Sequence, residues 1–170
     1  PRTIITRIAR MLPEDTIITT DVGQHQMWVA QSYPFTFPRQ FLTSGGLGTM
    51  GFELPAAIGA SLAHPGRTIV NFAGDGSLLM NLQELVTAVE ENANIKIIVF
   101  NNGSLGLVHQ QQDLFYGKRH IACDFAHTPD IPALARACGM PAYNVMDLGE
   151  LEGTLRTVLA TPGPCLMNVH

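Results

Sequence analysis

Residues 68–102 read TIVNFAGDGSLLMNLQELVTAVEENANIKIIVFNN. Thr68 to Ala73 is an apolar run that predicts a strand, and it leads straight into Gly74-Asp75-Gly76-Ser77. Leu82 to Asn92 sets Leu82, Leu85, Val86 and Val89 on one side, the spacing of an amphipathic helix. Ile95 to Phe100 is almost unbroken Ile and Val, the pattern of a strand covered on both faces, and it ends at Asn101-Asn102. A strand, a helix and a second buried strand form a unit of parallel sheet whose two polar ends return to the same edge.

The same alternation extends in both directions. Upstream, Thr3 to Leu12 carries a helical face closed by Pro13, and Thr16 to Thr20 is β-branched throughout and predicts a strand ending at Asp21. Val22 to Gln31 predicts a short helix and Phe41 to Ser44 an extended piece. Leu54 to Ala63 is rich in small residues, the composition of a closely packed helix, with Pro55 in its first turn. Downstream, Asp130 to Cys138 predicts a helix ended by Gly139, Ala142 to Val145 a strand, Leu148 to Ala160 a helix and Cys165 to Val169 a last strand. The expected fold is α/β, a doubly wound parallel sheet with helices on both faces, in one domain over residues 1–170.

Composition narrows the function. Hydrophobic residues make up 46% of the chain and charged residues only 14%, against an ordinary share of roughly 25%. That balance excludes disorder and suggests that part of the surface is meant to be covered. A net charge of −4 argues against nucleic acid as a partner. Cys123, Cys138 and Cys165 are unpatterned, which supports neither a zinc site nor a disulfide framework and fits buried thiols in a reducing cytoplasm. No apolar run approaches a membrane span and no signal-peptide pattern opens the chain. It starts at Pro1 directly in a helical pattern, as expected of a piece excised from a longer subunit.

In such sheets ligands bind at the carboxyl ends of the strands. Four polar or glycine-rich segments fall there: Asp21 to His25, Ser44 to Gly51, Gly74 to Ser77 and Asn101 to Gly106. Gly46 to Gly51 matches G-x-G-x-x-G, which alone is a weak dinucleotide signal. Gly74-Asp75-Gly76 puts a carboxylate on a turn whose glycines let backbone N–H groups approach a phosphate. Twenty-four residues separate Gly76 from Asn101, enough for one helix and one strand, so the Asn pair returns beside Asp75. A carboxylate, an amide oxygen and a backbone carbonyl are hard ligands that suit Mg²⁺ held together with a diphosphate.

Gly-Asp-Gly followed at this spacing by Asn-Asn resembles the fingerprint of thiamine-diphosphate enzymes. The likeness deepens along Val22 to Trp28, Leu42 to Phe52, and Gly106 to Gln112 with Leu114 to Tyr116. Together these segments resemble the C-terminal domain of acetolactate (acetohydroxyacid) synthase catalytic subunits, nearest to the bacterial isozymes, over Thr3 to His170. The resemblance implies that Asp75, Asn102 and the Ser104 carbonyl bind Mg²⁺. It implies that Gln24, His25 and the backbone around Gly76, Ser77, Gly106 and Leu107 hold the diphosphate. Met50 would wedge between the two cofactor rings, and the Gly48 carbonyl would accept a hydrogen bond from the 4′-amino group.

The implied reaction decarboxylates pyruvate and passes the two-carbon unit to a second 2-oxo acid, in branched-chain amino-acid synthesis. The family's activating glutamate comes from the N-terminal domain of a neighbouring subunit, which implies a homo-oligomer. An FAD-binding middle domain and a regulatory subunit belong to the same picture. Glu53 stands where relatives commonly have Gly, and Gln111 where many have Trp. Other readings stay open at this level: another thiamine-diphosphate enzyme such as a pyruvate oxidase or decarboxylase, a nicotinamide-binding domain, or a non-catalytic fragment. For single residues, Met50 as core filling, His25 as a surface histidine and Trp28 as a packing residue are the bland alternatives. His109 and His120 are expected at the surface without a partner.

Overall fold

Parallel pairing of apolar strands organises the molecule, a computed structural model that describes residues 1–170. The central strands are β3 (Ile69–Gly74) and β4 (Ile95–Phe100), in register from Ile69 opposite Ile95 to Gly74 opposite Phe100. On one side β3 pairs with β1 (Ile17–Thr20), which pairs with β2 (Phe41–Thr43). On the other side β4 pairs with β6 (Cys165–Val169), which pairs with β5 (Ala142–Val145). The six strands are all parallel, in the order β2-β1-β3-β4-β6-β5.

Each face of the sheet has its own core, as the two-sided apolar strands require. On one face α3 (Glu53–Ala63), α5 (Glu84–Glu90) and α7 (Ile131–Ala137) bury Leu54, Ala57, Leu85, Ala88, Ile131 and Ala135 against Ile69, Ile95, Ile97 and Leu166. On the other α1 (Arg2–Met11), α2 (Gln24–Ser32) and α8 (Leu151–Ala160) bury Ile5, Ile8, Val29, Leu155 and Val158 against Ile18, Val70, Phe72, Ile98 and Met167. The chain leaves β1 toward β2 and resumes with β3 on the opposite side of β1. This reversal opens a crevice between the carboxyl ends of β1 and β3.

The predicted elements are present; α2, α5, α7 and α8 are shorter than the periodicity gives, α1 is shifted by one residue at equal length and α3 starts one residue earlier, at Glu53. The start of α8 moves to Leu151 because Asp147 and Glu150 spend their carboxylates on the Gly149 and Met146 amides in a turn. Two helices were not expected from the pattern: α4 (Asp75–Leu78), a single turn, and α6 (Gly106–Phe115). No residue of α6 is buried, so no apolar period marks it. No helix is long and apolar enough to cross a membrane, and Cys123, Cys138 and Cys165 are all free thiols.

Candidate functional site

The loops that leave β1, β2, β3 and β4 converge on one cavity of about 160 Å³. It is lined by all the residues singled out above: Gln24, His25, Gly48, Met50, Asp75, Gly76, Ser77, Asn102, Ser104, Gly106 and Leu107. Val22, Gly23, Trp28, Gly74, Phe100, Leu105 and Val108 complete the wall; of these only Phe100 lies outside every ligand-site or resemblance segment singled out in the sequence. Gly46, the first glycine of the G-x-G-x-x-G match, is exposed and outside the cavity. Met50 and Trp28 both reach the cavity, Trp28 with its ring edge-on to Phe100 at 6.0 Å.

Asp75 is the first residue of α4 and is 1% exposed. Its Oδ2 accepts the Gly103 amide at 2.8 Å, so Asp75 bonds to the residue next to Asn102. Asn102 Oδ1 accepts the Ser104 amide at 3.1 Å and closes a tight turn in front of α6. Burial pushes the Asp75 carboxyl up from the ordinary aspartate range, against the backbone N–H groups that hold it down. No lysine or arginine lines the cavity, so its one carboxylate faces no fixed cation. The donor set, buried carboxylate oxygen beside amide oxygen and carbonyl, fits a small hard cation.

Another part of the cavity wall is made of backbone. Leu105, the residue capping α6, offers no side-chain cap, which leaves the N–H groups of its first turn free for a ligand. Ser77 folds back on the α4 turn, its Oγ accepting the Gly74 amide at 3.0 Å and donating to the Gly74 carbonyl at 3.1 Å. Glycine is required here by space. A Cβ on Gly76 would lie 2.8 Å from the side chains of Leu105 and Phe125, and one on Gly106 would lie 2.7 Å from Asn102 Nδ2 and would overlap the Gln24 amide. Gln24 in turn donates to Gln110 at 2.8 Å, fastening α2 to α6 across the cavity.

His25 is 5% exposed, which sets aside the surface reading. Burial pushes its imidazole down to about 4, so it is neutral at physiological pH. Its Nε2 is buried and has no partner within the protein, the state of a group that awaits one. It packs on Gly74, where an added Cβ would come within 3.1 Å of Nδ1.

Beneath the turn that carries Gly48 and Met50 lies a carboxylate pair to which the sequence reading assigned no contact. Asp21 is fully buried and accepts N–H groups from Val22 at 2.8 Å, Gly51 at 2.6 Å and Glu53 at 3.3 Å. Glu53, 1% exposed, answers by accepting the Asp21 amide at 3.1 Å, while its second oxygen has no partner. Burial first and the Asp21 charge second push the Glu53 carboxyl well above its ordinary value of 4.5. A proton on Glu53 is therefore held more tightly in the folded than in the unfolded chain. Its contribution is complete below the unfolded value and is lost as pH rises through the raised folded one. Glu53→Gln mimics the protonated form, so it should stabilise the protein at pH 8 and leave it unchanged near pH 4. Urea denaturation at both pH values checks this; equal stability of variant and parent at pH 8 would remove the carboxylate strain.

Residues 21–169 match the family described as thiamine pyrophosphate enzyme, C-terminal TPP binding domain. The chain is similar to the large subunit of acetolactate synthase isozyme 1 of Escherichia coli, 49% identical over 98% of this chain and 30% of that protein. It is similar also to the isozyme 2 large subunit of the same organism, 43% identical over 98% of this chain and 30% of that protein. Acetolactate synthase 2, chloroplastic, of Brassica napus is 46% identical over 99% of this chain and 28% of its own length. The chain thus spans under a third of the relatives it matches. A match of this extent places the chain in the thiamine pyrophosphate enzyme family, as its C-terminal TPP-binding domain.

Proposed function

We propose that this chain is the part of an acetolactate synthase that holds the diphosphate and Mg²⁺ of thiamine diphosphate. The observation that carries the reading is the cavity itself, where a buried, cation-free carboxylate at Asp75 faces uncapped helix N–H groups. Asp75, Asn102 and the Ser104 carbonyl would hold the metal. The amides of Gly76, Ser77, Gly106 and Leu107, with Gln24 and His25, would hold the diphosphate; His25 Nε2 would gain the partner it lacks. Met50 and the Gly48 carbonyl would fix the orientation of the ring system. When bound, thiamine diphosphate supplies the carbanion chemistry by which pyruvate loses CO₂ and its two-carbon unit passes to a second 2-oxo acid. The protein's share is orientation, a neutral anion pocket and exclusion of water.

For the whole protein the proposal includes a homo-oligomer, FAD in a further domain and a regulatory subunit, in a reducing cytoplasm consistent with three free thiols. Leu47, Leu114, Phe115 and Ile121 are 65–95% exposed, an apolar surface that a neighbouring subunit's N-terminal domain would cover. No glutamate lines the cavity, which supports an activating glutamate supplied by that neighbour. Assay of the full-length protein with pyruvate, thiamine diphosphate and Mg²⁺ should yield acetolactate, and removal of Mg²⁺ by chelation should stop it. The 170 residues alone should show no turnover. Acetaldehyde or acetate as the sole product would move the protein to a decarboxylase or oxidase of the same family.

Gly106→Ala tests the anion side. Its Cβ displaces the Gln24 and Asn102 amides while leaving the exposed face of α6 untouched. Each lost hydrogen bond to a charged ligand is worth about 1.5–3 kcal/mol, so thiamine diphosphate affinity should fall about tenfold or more with little change in melting temperature. Unchanged affinity by calorimetry would show that the diphosphate does not lie against α6.

A further inference from the structure

A second cluster of ligating side chains lies outside the cavity. His109 and Asp113 sit one turn apart on α6, and the segment that follows brings back His120 and Asp124. The two imidazoles, expected to be unpartnered, stack with centroids 4.0 Å apart and planes tilted by 23°. Asp113 divides its carboxylate between them, Oδ1 to His120 Nε2 at 2.8 Å and Oδ2 to His109 Nδ1 at 3.4 Å. His109 Nε2 and His120 Nδ1 are left unclaimed by Asp113, and Asp124 Oδ1 stands 3.8 Å from His109 Nε2. One donor atom from each of His109, His120 and Asp124 falls within 4.8 Å of the others.

We propose that His109, His120 and Asp124 form a binding site for a divalent transition ion of the zinc type, with Asp113 orienting both imidazoles. Two imidazoles and one carboxylate suit Zn²⁺, Co²⁺ or Ni²⁺ rather than Mg²⁺ or Ca²⁺, which take oxygen ligands. Three protein ligands leave a position open to water. A carboxylate behind each ligating histidine fixes ring orientation and raises ligand basicity, and here one side chain serves both rings. Tetrahedral Zn²⁺ places its ligand atoms about 3.3 Å apart, so the set must contract by about 1.5 Å. The side chains of His109, His120 and Asp124 are 33%, 31% and 59% exposed and have room to turn.

The site joins two parts of the molecule. Asp124 forms an antiparallel bridge with Ser104, the Leu105 amide donates to the Cys123 carbonyl at 2.7 Å, and the Phe125 amide donates to the Gly103 carbonyl at 2.9 Å. Residues 123–125 thus lie along 103–105, of which Ser104 and Leu105 line the cavity. Between the ligands the chain turns through Gly117, Lys118 and Ala122, all at positive φ. A bound ion would staple this loop to α6.

The test is a titration of the full-length protein with Zn²⁺ in competition with a chromophoric chelator, in excess Mg²⁺ so that any Mg²⁺ site stays filled. We expect one Zn²⁺ per chain, and Co²⁺ in its place should give the visible absorption of a nitrogen-ligated, low-coordinate ion. His120→Ala and Asp124→Asn should each weaken binding by about 10- to 100-fold or more, and Asp113→Asn by about 10- to 100-fold through loss of orientation. Because these side chains are partly exposed and contribute no core packing, the variants should keep the parent's circular dichroism. Absence of stoichiometric Zn²⁺ binding, or binding of unchanged affinity in both His120→Ala and Asp124→Asn, would reduce the cluster to solvated ion pairs.

Discussion

Asp75→Asn in the full-length protein should weaken Mg²⁺-dependent binding of thiamine diphosphate by about 30- to 4,000-fold. Truncating one partner of a buried charge pair costs about 2–5 kcal/mol, at 1.4 kcal/mol per decade of affinity. The direction follows from the cavity: Asp75 is its only carboxylate, and no lysine or arginine is present to take over the anion if the metal is lost. The fold should move the other way. Asn keeps an oxygen for the Gly103 amide and removes a carboxyl that burial already holds above its ordinary range. The ligand-free variant should therefore be at least as stable as the parent near neutral pH. Opposite signs for binding and stability separate a metal ligand from a structural carboxylate. Trp28, the only tryptophan of these residues, lies in the cavity wall and offers a fluorescence signal beside calorimetry. Binding in Asp75→Asn as tight as in the parent would sink the metal assignment.

How much of this was legible beforehand depends on whether a feature leaves a period or a spacing in the chain. The sheet did, because strands covered on both faces must be apolar without a break, as Ile95 to Phe100 is. The cavity did as well, since loops at the carboxyl ends of adjacent parallel strands must converge. Helix α6 did not. Its side chains mix Gln, His and Asp with the exposed Leu114 and Phe115 and none is buried, so it shows no apolar period, and the backbone N–H groups at Gly106 and Leu107 carry no side-chain signal. Long-range polar pairing was also hidden. Asp21 and Glu53 are 32 residues apart and meet only because β1 and the start of α3 are brought together. His109 and His120 meet through a loop that turns at Lys118 and Ala122, non-glycine residues in a left-handed conformation that sequence does not announce.

That hidden pair carries the second large effect. Asp21→Ala is expected to destabilise the fold by about 3–5 kcal/mol, since it strips acceptors from three amides at about 1–3 kcal/mol for each buried donor left unpaired. Those amides belong to Val22, Gly51 and Glu53. Part of the cost should be returned, because Glu53 loses the neighbouring charge that opposes its ionisation. Asp21→Ala combined with Glu53→Gln should therefore lose less stability than the single variant at pH 8, and the difference between them should shrink near pH 4, where Glu53 is protonated in either background. Function should suffer in parallel, for the Gly51 amide anchors the turn whose preceding residues, Gly48 and Met50, line the cavity. Turnover should fall more than cofactor affinity, because Asp75 and the N–H groups of α4 and α6 remain in place. Urea denaturation and steady-state kinetics of the two variants at pH 8 decide the matter. A loss below about 1 kcal/mol in Asp21→Ala would mean that the three amides find other acceptors and that the turn carrying Met50 does not depend on this carboxylate.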